Sequence, residues 1–301
     1  MKRDIIKMKS YKTNPNDTSN TMHRLKEFIK LFLNFYFKIY GYILRVLGII
    51  DFPLPPNSNM RRTSAKTIKR YIYSSKNTSL PISVGAQTNN VEFKDTCNVL
   101  DFGCGVAGQL CFFTKNHPHA NYFATDVDPS SIEWVKSAYS QVDAKVNKPN
   151  GPIDYDDNFF DLIYTVSTFS HFSVSDVDYW LKEISRVLKP GGIFIPTIEA
   201  EGSLHLVANE SNVDEGTIRD ELEKSGIFYK NYSWLNDLQE RGPAINKNLD
   251  ISSYFSDQYG HTVMSTDYFV SKASNFDLDY LGSAQKVICD RQDMIIFKKN
   301  A

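Results

Sequence analysis

The chain has little of what would mark a secreted, membrane-spanning or metal-held protein. Four cysteines stand in 301 residues, Cys97, Cys104, Cys111 and Cys289. Their spacing fits neither a disulfide framework nor a zinc site, so reduced thiols in a cytoplasmic protein and no metal are expected. No stretch of about 18 uncharged residues exists, which disfavours a transmembrane helix. The first residues lack a signal-peptide cleavage pattern, and no unit recurs at a fixed period. The basic run Arg61, Arg62, Lys66, Lys69 and Arg70 has no interleaved aromatic platform. Nucleic acid is therefore not an expected partner.

What is present is ordinary in amount and uneven in placement. Hydrophobic residues make up 42% and charged residues 23%, the composition of a globular domain. A length of 301 residues suits one core of about 200 residues plus additions. The net charge of −1 hides a division. Residues 1–70 hold 15 Lys/Arg and 4 Asp/Glu, a net of +11, and the remainder holds 19 and 31, a net of −12.

Residues 1–22 are polar, rich in Lys, Asn, Ser and Thr, and read as a disordered basic tail. Residues 23–60 read as an amphipathic helix followed by the proline-rich linker DFPLPPNSNM. Within 24–50, Lys26, Lys30, Asn34 and Lys38 recur every four residues, and Arg45 continues the row approximately. Most other positions are Leu, Ile, Phe, Tyr or Val. A broad apolar face with a basic stripe fits a helix lying in a membrane interface. Packing on the core or on a second subunit, giving a homodimer, is the alternative. Next come RRTSAKTIKRYI, a basic helix-like piece, and SVGAQTN, which reads as a turn.

The stretch VLDFGCGVAGQL, residues 99–110, carries the most information. An apolar run ends in Asp101, a glycine turn follows, and the start of a helix comes after. Glycine permits positive φ and close approach of a ligand to the main chain. The pattern Gly103-x-Gly105-x-x-Gly108 is formally a dinucleotide fingerprint, with Asp126 about 20 residues on. An acid two residues ahead of Gly103 would repel a pyrophosphate, however, and suits a cationic ligand. Three further segments follow. In NYFATDVDPSSIEWV, a strand over 122–125 ends in Asp126 and a helix begins near Pro129. In PIDYDDNFFDLIYTVSTFSHF, the run 159–166 is a buried strand with His171 just past its end. In WLKEISRVLKPGGIFIPTIE, Leu181, Ile184, Val187 and Leu188 have helical spacing, Lys189-Pro-Gly-Gly stops the helix, and 193–198 is a strand.

With DFGCGVAG, TDVDPSSIEW, DDNFFDLIYTVSTFSHF and LKEISRVLKPGG in this order and spacing, the chain resembles the class I S-adenosylmethionine-dependent methyltransferases, in particular the small-molecule type. The likeness is good over 96–200 and weaker through YGHTVMSTDYF and DRQDMIIFKK. It implies an α/β fold: a Rossmann-like, mostly parallel sheet with an antiparallel last strand, an N-terminal helical extension and a helical insert before the last strands. The methyltransferase domain would be 61–301, with a cofactor-binding core at 96–198 and an acceptor-side cap at 199–275. The family's usual third glycine is replaced by Ala107.

The resemblance further implies S-adenosyl-L-methionine as cofactor. Asp101, Gly103 and Gly105 would take its methionine end and Asp126 its ribose. Val127 would flank the adenine, with Asn150 or Ile153 near the adenine edge. Capping remains the alternative for Asp101 and Asp126. His171 is the leading candidate base because imidazole titrates in the useful range, and His261 is the second. Glu199 and Glu201 read as solvated. The expected reaction is methyl transfer, by an enzyme, to a small-molecule, glycan or lipid-linked acceptor, as O-methylation. A catalytically inactive scaffold at a membrane and a dinucleotide-dependent oxidoreductase are the competing readings.

Overall fold

The computed structural model describes residues 24–300, apart from 26, 27, 29–31, 33, 34, 37, 38, 49, 57, 58, 61–66, 150 and 232–258. The basic tail and Asn150 therefore lie outside the described residues. The chain divides into two compact units, 1–57 and 58–301. In the first, the described positions 24, 25, 28, 32, 35, 36 and 39–46 are all helical. The linker turns back on this helix: a Cβ at Gly41 would sit 3.1 Å from Leu54 Cδ1.

The second unit is built on a seven-stranded sheet in the order β3-β2-β1-β4-β5-β9-β8. Its strands are β1 (Asn98–Phe102), β2 (Asn121–Asp126), β3 (Val142–Val146), β4 (Phe160–Thr165), β5 (Leu188–Ile198), β8 (Leu278–Ile288) and β9 (Gln292–Lys299). β1 to β5 pair in parallel, and β9 runs antiparallel to both β5 and β8. This is the expected Rossmann-like methyltransferase sheet with its antiparallel end. Val99, Leu100, Leu162, Ile163 and Phe194 are fully buried, as central strands covered on both faces require. Strand order reverses between β1 and β4. Open α/β sheets hold their ligands at such a reversal, outside the carboxyl ends of the strands.

Helix α1 (Ile68–Thr88) precedes the sheet and corrects the reading of SVGAQTN as a turn. All but its last residue lie in the helix, which also contains Pro81. Local punctuation was overridden because α1 crosses close to the sheet: a Cβ at Gly85 would stand 3.1 Å from Ile296 Cδ1. Glycine here serves a close approach rather than a turn. α2 (Leu110–Asn116) follows the glycine turn. α3 (Pro129–Ala138) has Pro at its first turn and Asp128 as N-cap, accepting from Ser130 N. α4 (Val174–Val187) opens with a capping box of Ser173 and Asp176 and buries Trp180, Leu181, Ile184 and Val187. It stops where expected, but Lys189-Pro-Gly-Gly is not a free loop. It belongs to β5 as a bulge, between the pairings Phe160↔Leu188 and Leu162↔Ile193, and Gly191 there has φ +77°.

The insert holds helices α5 (Leu204–Ser211), α6 (Glu215–Ser225) and α7 (Thr266–Ser274). It also holds a two-stranded antiparallel sheet, β6 (Ile227–Asn231) with β7 (Gly260–Met264), that its sequence did not announce. All four cysteines are free; three are buried and Cys289 is exposed. Among the described residues, no helix is long and apolar enough to cross a membrane.

Helix α1 also clamps the glycine turn. The Tyr71 hydroxyl donates to the Val106 carbonyl at 3.1 Å, and Ser79 donates to the Gln109 carbonyl at 3.4 Å. Tyr71 is 3% exposed, so losing its hydroxyl strands a buried carbonyl. Tyr71→Phe should cost about 1–3 kcal/mol, read as a lower midpoint in thermal or urea unfolding. An unchanged midpoint would show that the clamp adds nothing to stability.

Candidate active site

β1 delivers the turn to the carboxyl edge of the sheet. Gly103 N and Cys104 N both donate to Thr125 O, at 2.8 and 2.9 Å, tying the turn to β2. Gly103 has φ +78° and Gly105 +51°. A Cβ on Gly103 would collide with Thr168 Oγ1 in the loop after β4, so no side chain fits there. Ala107 is fully buried with φ +60°. An alanine in this left-handed conformation carries about 1–2 kcal/mol of strain, which accounts for the glycine usual at this position.

Asp101 is 1% exposed, and its Oδ2 has no hydrogen-bond partner. Burial pushes its pKa up to about 8; the neighbouring Tyr164 hydroxyl opposes this and the Asp126 charge adds to it. At neutral pH the buried group is therefore largely a neutral acid. Asp126 accepts from Gly105 N through Oδ2 and from Asp128 N through Oδ1, both at 2.8 Å. Capping of α3 belongs to Asp128, so the capping alternative for Asp126 does not hold. Val127 is partly exposed beside it. Ile153 lies in the core cluster under α4, and its N–H donates to Glu183 at 3.0 Å. A residue the sequence reading passed over stands at the end of β3. Asn147 is 5% exposed, its N–H donates to Asp126 O at 2.9 Å, and its Oδ1 has no partner.

Across the reversal stands a second polar group. His171 ends a short 3-10 turn after β4. Its Nδ1 lies 3.1 Å from Gly260 O, and its ring stacks on Tyr259 with centroids 4.7 Å apart. A carbonyl can only accept, so Nδ1 carries the proton and Nε2 the lone pair. Burial pushes the pKa of His171 down to about 4, and that of His261 likewise to about 4.

Glu199, one residue past β5, corrects the expectation of a solvated acid: it is 3% exposed. Oε1 accepts from Arg291 Nε and from Gln292 Nε2, the latter at 2.9 Å, while Oε2 is buried without a partner. Arg291 also grips Glu210 of α5 through both terminal nitrogens, at 2.7 and 2.6 Å. Gln292 Oε1 accepts from Thr197 at 2.8 Å and Ser167 at 3.0 Å. Glu201 is exposed, as expected. Asp290-Arg-Gln-Asp293, where the sequence likeness is weak, leads into β9. Its antiparallel pairing, Ile198↔Asp293, brings Arg291 and Gln292 to the carboxyl edge.

Residues 100–195 match the family described as methyltransferase domain. The chain is 25% identical over 182 residues to an uncharacterized protein from Rickettsia prowazekii, covering 55% of this chain and 71% of that one. It is 34% identical over 110 residues to a sterol 24-C-methyltransferase from Gibberella zeae, covering 35% of this chain and 28% of that enzyme. The match thus spans under a third of the sterol enzyme's length. In fold, an S-adenosylmethionine-dependent methyltransferase from Clostridium acetobutylicum matches with a TM-score of 0.50 and 14% identity, over 75% of this chain and 92% of that one. Residues 100–195 are thus a methyltransferase domain, on a fold shared with S-adenosylmethionine-dependent methyltransferases, and S-adenosyl-L-methionine is its cofactor.

The residues present fit that cofactor. An unpaired, buried Asp101 oxygen is suited to an ammonium or sulfonium neighbour. Gly103 and Gly105 are both partly exposed in the turn, so a ligand can meet their main chain, and the unpaired Asn147 oxygen can accept from an exocyclic amine.

The two depressed histidines fix a pH dependence. An unfolded histidine takes a proton near pH 6.5, whereas these take one only near pH 4. Their contribution to stability is complete above pH 6.5 and is lost as pH falls from 6.5 to 4. Each contributes up to about 3 kcal/mol. Urea unfolding between pH 4 and 8 should show this loss, and a His171→Asn/His261→Asn variant should flatten it. An equally steep loss in the variant would assign it to carboxylates.

Proposed function

We propose that this chain transfers the methyl group of S-adenosylmethionine to an oxygen of a small-molecule, glycan or lipid-linked acceptor, and that residues 24–50 bring it to a membrane surface. The observation that carries the reading is the pair of polar groups facing one reversal in strand order. Asp101, Asp126 and Asn147 stand on one side; His171 and Glu199 stand on the other. Likeness to a sterol 24-C-methyltransferase supports an apolar, lipid-like acceptor.

S-adenosylmethionine supplies a methyl group activated by a sulfonium. Asp101 holds the cationic methionine end, with the main chain at Gly103 and Gly105 beside it. Asp126, held by two backbone N–H groups, accepts from the ribose hydroxyls. Asn147 takes the place expected of Asn150 at the adenine edge, and Val127 flanks the ring. His171 Nε2 receives the acceptor's hydroxyl proton. As a weak base it takes that proton late, when the oxygen has become more acidic by bonding to carbon. Orientation by the surrounding residues supplies much of the rate.

Asp126→Ala should weaken S-adenosylmethionine binding at least tenfold, about 1.4 kcal/mol, with unfolding otherwise unchanged. Binding should also release a proton near pH 7, because Asp101 must ionise beside a cation. Calorimetry in two buffers of different ionisation enthalpy reads that proton, and Asp101→Asn should abolish it. Unchanged affinity together with no proton release would sink the assignment. With tritium-labelled cofactor and a total lipid extract as acceptor, His171→Ala should lower label transfer by roughly 10²–10⁴ and leave cofactor binding intact. Transfer at the wild-type rate would remove His171 as base.

A further inference from the structure

We propose that the exposed face of the N-terminal helix docks in the plane of an anionic lipid bilayer. This rests on the membrane contact proposed above and adds to it the face and the lipid charge. Phe28, Phe32, Phe35, Ile39, Ile43 and Val46 are all helical and between 43% and 67% exposed. Their spacing of four, three, four, four and three residues keeps them within an arc of about 80° at 100° per residue. Tyr42 and Leu47, 69% and 66% exposed, widen the face. On the opposite side of the helix, Gly41 lies against Leu54 and Leu44 is buried. Exposed apolar surface of this extent, concentrated on one helix, needs a cover.

Charge selects the cover. Residues 24–50 carry Arg24, Lys26, Lys30, Lys38 and Arg45 against the single acid Glu27, within a segment of net charge +11 over residues 1–70. A second copy would bring like charge to like charge. It would also set Phe28, Phe32 and Phe35 at a seam where helix pairs favour Leu, Ile and Val. A bilayer with acidic headgroups accepts both the aromatic face and the basic flank. Charges interrupt the segment too often for it to cross the membrane, so it lies in the interface.

The test uses the full chain and sedimentation with phosphatidylcholine vesicles, with and without phosphatidylserine. Binding should be at least about tenfold tighter with phosphatidylserine and should weaken as salt rises. A Phe32→Glu/Ile39→Glu variant should bind these vesicles at least tenfold more weakly and keep its calorimetric response to S-adenosylmethionine. Equal binding to both vesicle types would overturn the lipid selectivity while leaving a membrane contact standing. No binding to either would overturn both. Vesicle binding undiminished in the variant would assign the contact to another surface. Light scattering that finds a dimer, dissociated by the same substitutions and indifferent to vesicles, would assign the face to a second copy. Absence of a calorimetric response in the unmodified chain would count against the methyltransferase reading alone.

Discussion

The arrangement of the candidate site depends on the close approach of Gly103 to Thr168. Gly103 follows β1, Thr168 follows β4, and no Cβ fits between them. Thr168 Oγ1 also donates to the Phe102 carbonyl at 3.3 Å. This contact joins the two central strands at the point where sheet order reverses. It fixes the separation between the group around Asp101 and Asp126 and the group around His171 and Glu199. A side chain at Gly103 would pry the halves apart, and a left-handed backbone there favours glycine on a second count.

Two buried acids keep different company at this site. Asp101 has an orphan oxygen and little compensation, so its proton stays on near neutral pH. Glu199 is equally enclosed, but Arg291 and Gln292 share its Oε1. Unpaired buried charge is costly, and a guanidinium between two carboxylates removes much of that cost. The same Arg291 binds Glu210 of α5, so one side chain links Glu199 to the insert. The histidines nearby are neutral chiefly because burial disfavours their charged forms, and the Arg291 charge adds to this.

The glycine turn is held from outside as well. α1 lays Tyr71, Ser75 and Ser79 along it, and a Cβ at Gly108 would come within 2.8 Å of Ser75 Oγ. The third glycine of the motif is therefore a packing residue, whereas Gly103 and Gly105 are conformational ones. Ala107 tolerates its left-handed backbone in the same buried turn.

Sequence alone determined the alternation of buried strands and helices, the glycine turn, and the acids placed at strand ends. Those features are local: apolar period, punctuation and spacing along one strand–turn–helix unit encode them. The candidates Asp101, Asp126 and His171 could be named for that reason, and the end of α4 was placed to within two residues, before Lys189 rather than at Val187. Tertiary structure decided what distance along the chain conceals. SVGAQT became helix because α1 packs across the sheet, overriding its glycine and proline. Glu199 became buried because Arg291 and Gln292, more than ninety residues away, reach it through an antiparallel pairing. Asn147 stands at the strand end because the end of β3 is set by its register with β2, Asp126↔Val146. A side chain's charge and burial depend on neighbours brought by the sheet, and no window of sequence contains them.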